Sequence, residues 1–223
     1  MKKILLSVMF AGLMAICVQA QMFVGGSVGA NYVASKSTSS STTVKGPALL
    51  SFEFNPMLGY DLSETMGIGV MLNLGFSTSD NRRDDPTKRN NLIYGVSPFM
   101  RNAVLYSGNL SLLLETQISF LGVNSKTSQG STSHDLPKVF AYGLSVAPIL
   151  SYSLTDRLFL EARVNLLRFG IGQGVVKDDD DKDIMTFVGL GVNPSEISSS
   201  LNRGMDITVT SNSPIEIGMV FRF

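Results

Sequence analysis

Hydrophobic and polar residues alternate with a period of two along much of this 223-residue chain. The alternation is clearest over residues 213–223, where one set of positions is apolar and the other carries charge: Ile215, Ile217, Met219, Phe221 and Phe223 against Glu216, Gly218, Val220 and Arg222. Successive side chains of a β-strand point to opposite faces. This segment is therefore predicted to be a strand with one wholly apolar face.

Seven further segments alternate in the same way and are predicted to be strands. Together with the last strand they make eight: residues 22–33, 50–60, 67–76, 92–106, 110–122, 140–152, 158–166 and 213–223. Eight is an even number, as a single-chain antiparallel barrel in a bacterial membrane requires.

The predicted connections alternate between short and long. Residues 61–66, 106–109 and 154–157 suit tight turns, whereas the other connections are long and rich in Ser, Thr, Asn, Asp and Lys: residues 34–47, 77–91, 123–138 and 170–212. This composition favours mobile loops. Residues 184–192 in the last loop also alternate, which predicts a hairpin above the barrel or, as the alternative, two more strands and a total of ten.

Alternation alone does not say which face of a barrel is inside, because a soluble barrel shows the same period with its apolar face inward. The positions of the lysines indicate which face is inside. Every lysine after residue 3 falls in or at the edge of a predicted long loop: Lys36, Lys45, Lys88, Lys126, Lys138, Lys177 and Lys182. Strands without lysine on either face favour an apolar outer surface and an interior of small polar residues.

Tyrosines are predicted to form two girdles on the apolar face, as at the two interfaces of a membrane barrel. Three lie near the short turns and three near the long loops: Tyr60, Tyr106 and Tyr152, and Tyr32, Tyr94 and Tyr142.

The N-terminal residues 1–20 are predicted to be a secretory signal peptide. Lys2 and Lys3 precede an apolar stretch, and Val18-Gln19-Ala20 suits cleavage before Gln21. A lipoprotein signal at Cys17, the only cysteine, is disfavoured because Ile16 precedes it. No second apolar segment is long enough for a spanning helix, so residues 21–223 are predicted to form one domain, a closed membrane barrel.

Three motifs carry a resemblance to a known group of proteins: Gly218-Met219-Val220-Phe221-Arg222-Phe223, Asn55-Pro56-Met57-Leu58-Gly59-Tyr60 and Ser97-Pro98-Phe99-Met100-Arg101. The chain resembles small eight-stranded outer-membrane β-barrels of the OmpA/OmpX-like superfamily. The resemblance implies an all-β, up-and-down transmembrane barrel with short periplasmic turns and long extracellular loops, located in the bacterial outer membrane. It also implies that Phe221 and Phe223 form a C-terminal signal for the barrel-assembly machinery.

The polar faces of the predicted strands place charged residues of both signs inside the barrel: Glu53, Arg101, Glu115, Glu161, Arg163, Glu216 and Arg222. In a narrow lumen these predict an ion network, in which arginine gives bidentate pairing. Such a network suggests either a sealed interior or a narrow polar path. Arg168 is an exception, because the alternation places this charged residue on the apolar outer face. Either it points outward towards a lipopolysaccharide phosphate, or a bulge turns it inward.

Candidate chemistry is sparse. The sequence Ser133-His134-Asp135 holds the only histidine, but a catalytic triad needs a spatial arrangement that sequence neighbours rarely have. The acidic run at residues 178–183 lacks the spaced ligands and turn glycine of a calcium loop. We therefore expect no catalytic, metal or cofactor site.

These patterns favour a non-enzymatic surface or envelope-structural protein, with any recognition carried by its outer loops. A narrow porin-like channel is the alternative, and a lipid-modifying enzyme is less favoured. The expected partners are outer-membrane lipid and lipopolysaccharide, the barrel-assembly machinery and an extracellular protein. The formal net charge of zero gives no reason to expect a nucleic acid.

Overall fold

The computed structural model describes residues 21–39, 42–81, 87–130, 132–178, 181–190 and 213–223. The predicted signal peptide, residues 1–20, and the last part of the final long connection, residues 191–212, lie outside the described residues. Cleavage before Gln21 therefore stays a prediction.

Strands make up nearly all of the described chain. They are β1 (Gln21–Ser39), β2 (Thr42–Asp61), β3 (Met66–Asp80), β4 (Thr87–Ser107), β5 (Leu110–Gln129), β6 (Thr132–Asp135), β7 (Lys138–Ser153), β8 (Leu158–Val164), β9 (Phe169–Asp178), β10 (Asp181–Leu190) and β11 (Ile215–Arg222). One 3-10 turn, Asn165–Leu167, separates β8 from β9. Nowhere in the described ranges does a helix reach the length and apolar character needed to cross a membrane.

Eight of the strands close into a ring. Its order is β1, β2, β3, β4, β5, β7, β8 and β11, and β11 pairs with β1 from Phe23↔Arg222 to Val28↔Ile217. Every pairing is antiparallel. In the part of the chain that the structure describes, β9 continues β8 beyond the 3-10 turn and also pairs with β7, while β6 and β10 stand outside this ring, so the wall has eight strands and not ten. The predicted all-β, eight-stranded antiparallel barrel is confirmed.

The two faces of the wall differ as the alternation predicts. Apolar side chains cover the outside, and Phe52 and Leu72 are about half exposed at 53% and 50%. Inward positions are buried and largely polar, as Ser97 and Glu115 show at 0% and 1% exposure. The barrel is therefore an apolar cylinder around a polar filling, the reverse of a soluble barrel.

The seventh strand of the wall, made of β8 and β9, contains an irregularity that the alternation did not predict. Ile149 of β7 pairs with Arg163 and Val146 pairs with Phe169, so two residues of β7 face five residues of the neighbouring strand. The 3-10 turn takes up the three extra residues. Because three is an odd number, residues after the turn exchange their inward and outward positions. Arg168 therefore points into the barrel and is only 3% exposed.

The long connections are mostly continued hairpins, which corrects the expectation of irregular loops. β1 and β2 stay paired as far as Ser39↔Thr42, and β5 pairs with β6 as far as Gln129↔Thr132. All seven lysines therefore lie within strands, contrary to the prediction, although each lies in an extension beyond the apolar part of the wall. Ser, Thr and Val residues tolerate extended backbone, so the ladder continues where hydropathy alone suggests a loop.

Proline interrupts the ladder without shifting its register. The β2–β3 pairing runs from Phe54↔Leu74 to Met57↔Met71 across Pro56, and both pairs belong to the same register. Because proline has no N–H, the pairings of Asn55 and Pro56 drop out on that side while the register is kept. Since proline removes a ladder hydrogen bond, the sequence predicts bulges at Pro56, Pro98 and Pro148. The prediction is wrong at Pro56 and Pro98, where the register is unshifted, whereas the three extra residues of the seventh wall strand do lie opposite Pro148.

Candidate functional site in the barrel interior

Five charged side chains meet in the barrel and form what we call the ion network: Arg101, Glu115, Glu161, Arg163 and Glu216. Arg163 reaches Glu115 at 2.8 Å and Glu216 at 2.9 Å. Arg101 Nε lies 2.8 Å from Glu115 Oε2, and its Nη1 lies 3.1 Å from Glu161 Oε1. All five residues are at most 6% exposed. Glu115 thus accepts from both guanidiniums and joins the two halves of the network.

Neutral side chains complete the hydrogen bonding of Glu216. Its Oε2 accepts from Ser27 Oγ at 2.6 Å and from Asn55 Nδ2 at 2.9 Å. Its Oε1 accepts from Asn165 Nδ2 at 2.7 Å, and that amide also donates to the carbonyl of Ser213. A buried carboxylate with this many donors is held in the charged form and in one position. The alternation in the sequence predicts that Ser27, Asn55 and Asn165 face inward, but only the register between their strands brings them to Glu216.

An apolar cluster lies inside the barrel and packs against the guanidinium of Arg101. We call it the apolar septum; five residues from five wall strands form it, with Phe159 packed against them: Phe23, Met57, Met71, Phe99 and Val220. The guanidinium of Arg101 lies 4.9 Å from the centroid of Phe99 and 5.8 Å from that of Phe23. Two aromatic rings of the septum therefore lie close to the guanidinium of Arg101.

Glycines in the ladder make room for the rings of the septum. Phe23 lies opposite Gly59, and Phe99 lies opposite Gly69. A Cβ at Gly59 would lie 2.3 Å from Phe23 Cζ, and one at Gly69 would lie 2.5 Å from Phe99 Cζ. Only glycine allows these rings to lie flat across the strand beside them.

Arg222, which the sequence places with the interior charges, lies apart from the ion network. Its Nε is 2.8 Å from Asp61 Oδ2, and its guanidinium lies 4.2 Å from the centroid of Phe159. The side chain is 32% exposed. Arg222 stands at the end of β11, near the short turns, and its ion pair is with Asp61 and not with a carboxylate of the ion network. Asp61, its partner, was not predicted.

A second polar layer lies towards the long hairpins and consists of uncharged side chains. Asn73 donates to Ser97 at 2.8 Å, Ser97 to Ser119 at 2.8 Å, and Gln117 to Ser119 at 3.2 Å. Further along, Asn91 joins Ser77 and Ser125. These short side chains fill the narrow lumen and hydrogen-bond to one another, except that Gln117 Oε1 has no partner.

Two cavities lie on opposite sides of the septum. A vestibule of about 110 Å³ at the short-turn end is lined by septum residues and by Asp61, Glu64, Arg101 and Arg222, so it reaches one member of the ion network. An interior cavity of about 20 Å³ is lined by Glu53 and Arg168 together with residues of the ion network. The two cavities share no lining residue. These cavities do not join into a path.

The six tyrosines all lie on the outer face with 39% to 62% exposure. The hydroxyl of Tyr106 donates to the carbonyl of Glu64 at 2.8 Å, which ties it to a short turn, while the hydroxyl of Tyr142 donates to Gln173. Tyr32, Tyr60, Tyr94 and Tyr152 complete the set. Their outward positions suit the two predicted girdles.

The C-terminal aromatics lie at the seam of the ring. Phe221 and Phe223 contact each other edge to face at 5.1 Å, and the N–H of Phe223 donates to the carbonyl of Met22 at 2.9 Å. Their role as an assembly signal stays a prediction.

The His134 region does not form a triad. Ser133, His134 and Asp135 are exposed residues of β6, where successive side chains alternate between faces. Asp135 pairs with Lys126 at 3.3 Å and does not orient the histidine. Among the residues that the structure describes, no group of three His, Cys, Asp or Glu side chains could hold a metal ion.

Comparisons with known proteins bear on the fold alone. No protein-family profile and no curated protein matches the chain. Neisserial surface protein A aligns over 92% of this chain and 96% of its own, with 11% identity and a TM-score of 0.37. Ail, the attachment invasion locus protein of Yersinia pestis, aligns over 92% and 97%, with 10% identity and a TM-score of 0.37. A major outer membrane protein from Thermus thermophilus aligns over 92% and 99%, with 14% identity and a TM-score of 0.44.

Similarity this low carries no argument about activity. The fold rests on the closed strand pairing of the chain itself, which agrees with the resemblance to small barrels of the OmpA/OmpX-like superfamily.

Proposed function

We propose that this chain is an integral outer-membrane protein whose barrel is a sealed, non-enzymatic scaffold for the hairpins at its outer end. The observation that carries the proposal is the closed ring with an apolar outer face around paired, buried charges. Backbone polar groups in a lipid bilayer need internal partners, and a closed ring supplies them. Outer-membrane lipid and lipopolysaccharide are then its immediate surroundings, and an extracellular protein is the candidate partner of its hairpins.

The first test concerns topology and uses the sequence Asp178-Asp179-Asp180-Asp181-Lys182, which matches the recognition sequence of enteropeptidase. Asp178 ends β9 and Asp181 begins β10, so with these strands outside the cell the enzyme is expected to cleave after Lys182 on intact cells. Denatured protein controls for the site, and a soluble periplasmic protein shows that the envelope is sealed. Cleavage of the denatured protein alone would remove surface recognition from the proposal.

A narrow channel is the second candidate, because charged side chains line part of the lumen. The buried, mutually paired charges and the two cavities without a shared lining residue oppose it, because an ion that passes buried apolar side chains loses its hydration at a high cost. We expect no unitary conductance from purified protein in planar bilayers. Conductance steps that change with Glu115→Gln or Arg163→Gln would establish a channel instead.

A lipid-modifying enzyme is the least favoured candidate. Deletion of the protein is expected to leave the lipid composition of the envelope unchanged. Loss of a lipid modification that the wild type restores, and that His134→Ala does not, would overturn the non-enzymatic part of the proposal.

A further inference from the structure

The interior cavity collects buried polar atoms that have no partner. Arg168 is 3% exposed and Gln117 is 4% exposed, and both line this cavity together with Arg163. Arg168 Nε, Arg163 Nε and Gln117 Oε1 are buried without a hydrogen bond. Two of these atoms are donors and one is an acceptor. Buried polar atoms in native proteins are nearly always satisfied, so three around one cavity indicate a ligand.

The size and charge of the cavity restrict the ligand. Its volume of about 20 Å³ exceeds the roughly 10–15 Å³ that one water requires. A halide can accept from the two arginines but cannot donate to Gln117, and it would lie beside Glu53 and Glu216, which also line the cavity. A metal cation would face two guanidiniums. A water both accepts and donates, which matches two donors and one acceptor.

We propose that this cavity is a binding site for one ordered water, which bridges the guanidinium of Arg168 to the side-chain carbonyl of Gln117. No direct hydrogen bond joins these two side chains, and no salt bridge within the described residues holds Arg168. The bridge would fix Arg168 above Glu216 and connect the ion network to the uncharged layer that begins at Gln117. The site does not depend on where the protein resides.

The decisive measurement is a crystal structure of the wild-type protein at a resolution that shows waters, with a second crystal soaked in bromide. We expect one density peak within hydrogen-bond distance of both Arg168 Nε and Gln117 Oε1 and no anomalous signal from bromide there. An empty cavity would overturn the proposal, and so would a bromide peak, which would make the site an anion site.

A double-mutant cycle tests the bridge in detergent solution. Arg168→Met and Gln117→Leu remove its two ends, and each is expected to lower the melting temperature by roughly 2–4 °C. Because one water serves both ends, the double variant is expected to lose less than the sum of the two shifts. The matched control pairs Arg168→Met with Ser125→Ala, a buried serine eight residues along β5 from Gln117 that does not line the cavity, and should be additive. Additive shifts for Arg168 and Gln117 would contradict the bridge.

Discussion

At the scale of single residues, the interior depends on a few side chains that each serve several partners. Arg163 contacts Glu115, Glu216 and Ser27, and Glu115 joins it to Arg101. Removing one member of a buried ion pair leaves the other without its counter-charge, which costs far more than the pair itself contributes. The network is therefore a set of mutually dependent groups, and its centre is Arg163.

Arg163→Met is expected to destabilise the barrel by about 3–5 kcal/mol, because Glu115 and Glu216 stay buried with fewer donors. The measurement is the temperature at which the compact form seen by gel electrophoresis in unheated SDS is lost. Arg157→Met, an exposed arginine in a short turn, is the matched control and should change stability by less than about 0.5 kcal/mol. Equal shifts for both variants would show that the ion network contributes nothing to stability.

At the scale of elements, the eight wall strands and the hairpin extensions have separate roles. Within the described residues, β6 pairs with the end of β5, from Lys126↔Asp135 to Gln129↔Thr132, and residues 127–130 and 132–134 take part in no wall pairing except that of β4 with β5. The barrel interior receives nothing from β6, whose four residues are all exposed. The extension is thus a candidate for recognition and not for folding.

Replacing residues 127–134 by Asn-Gly should leave the barrel folded, because this dipeptide forms the type I′ turn that joins paired strands directly. Lys126 and Asp135 are already ladder partners and would flank the new turn. We expect an unchanged melting temperature within about 2 °C. Loss of the compact form would mean that the extension supports the wall. The same variant lacks Ser133 and His134, so it also tests the enzymatic alternative.

At the scale of the whole molecule, the apolar outer face is the feature that calls for a membrane. A water-soluble barrel would not expose a continuous surface of aliphatic and aromatic side chains of this size. If lipid covers this surface, the loss of stability caused by a charged side chain must depend on the depth of its position in the bilayer. It is about 2–4 kcal/mol at mid-bilayer and about 0–1 kcal/mol near an interface.

Leu72→Arg, in the middle of the outward row of β3, should therefore reduce the yield of folded protein in lipid vesicles strongly. Leu154→Arg, at a short turn and equally exposed at 50%, should have little effect. The readout is the yield of folded protein in lipid vesicles, compared with the yield in detergent-free buffer. Similar folding yields for Leu72→Arg and Leu154→Arg would contradict a lipid-facing wall.

The sequence by itself determined the number of wall strands, their inward and outward faces and the short turns, because a period of two is a local property of the backbone. It also placed Glu115 and Arg163 on the inner face. Tertiary structure decided which charges meet: Arg222 pairs with Asp61 near the short turns, and Arg168 enters the lumen through three extra residues opposite Pro148. Register between distant strands sets these contacts, and no local pattern encodes it. For the same reason the hairpin extensions were taken for loops, since pairing and not hydropathy keeps them extended.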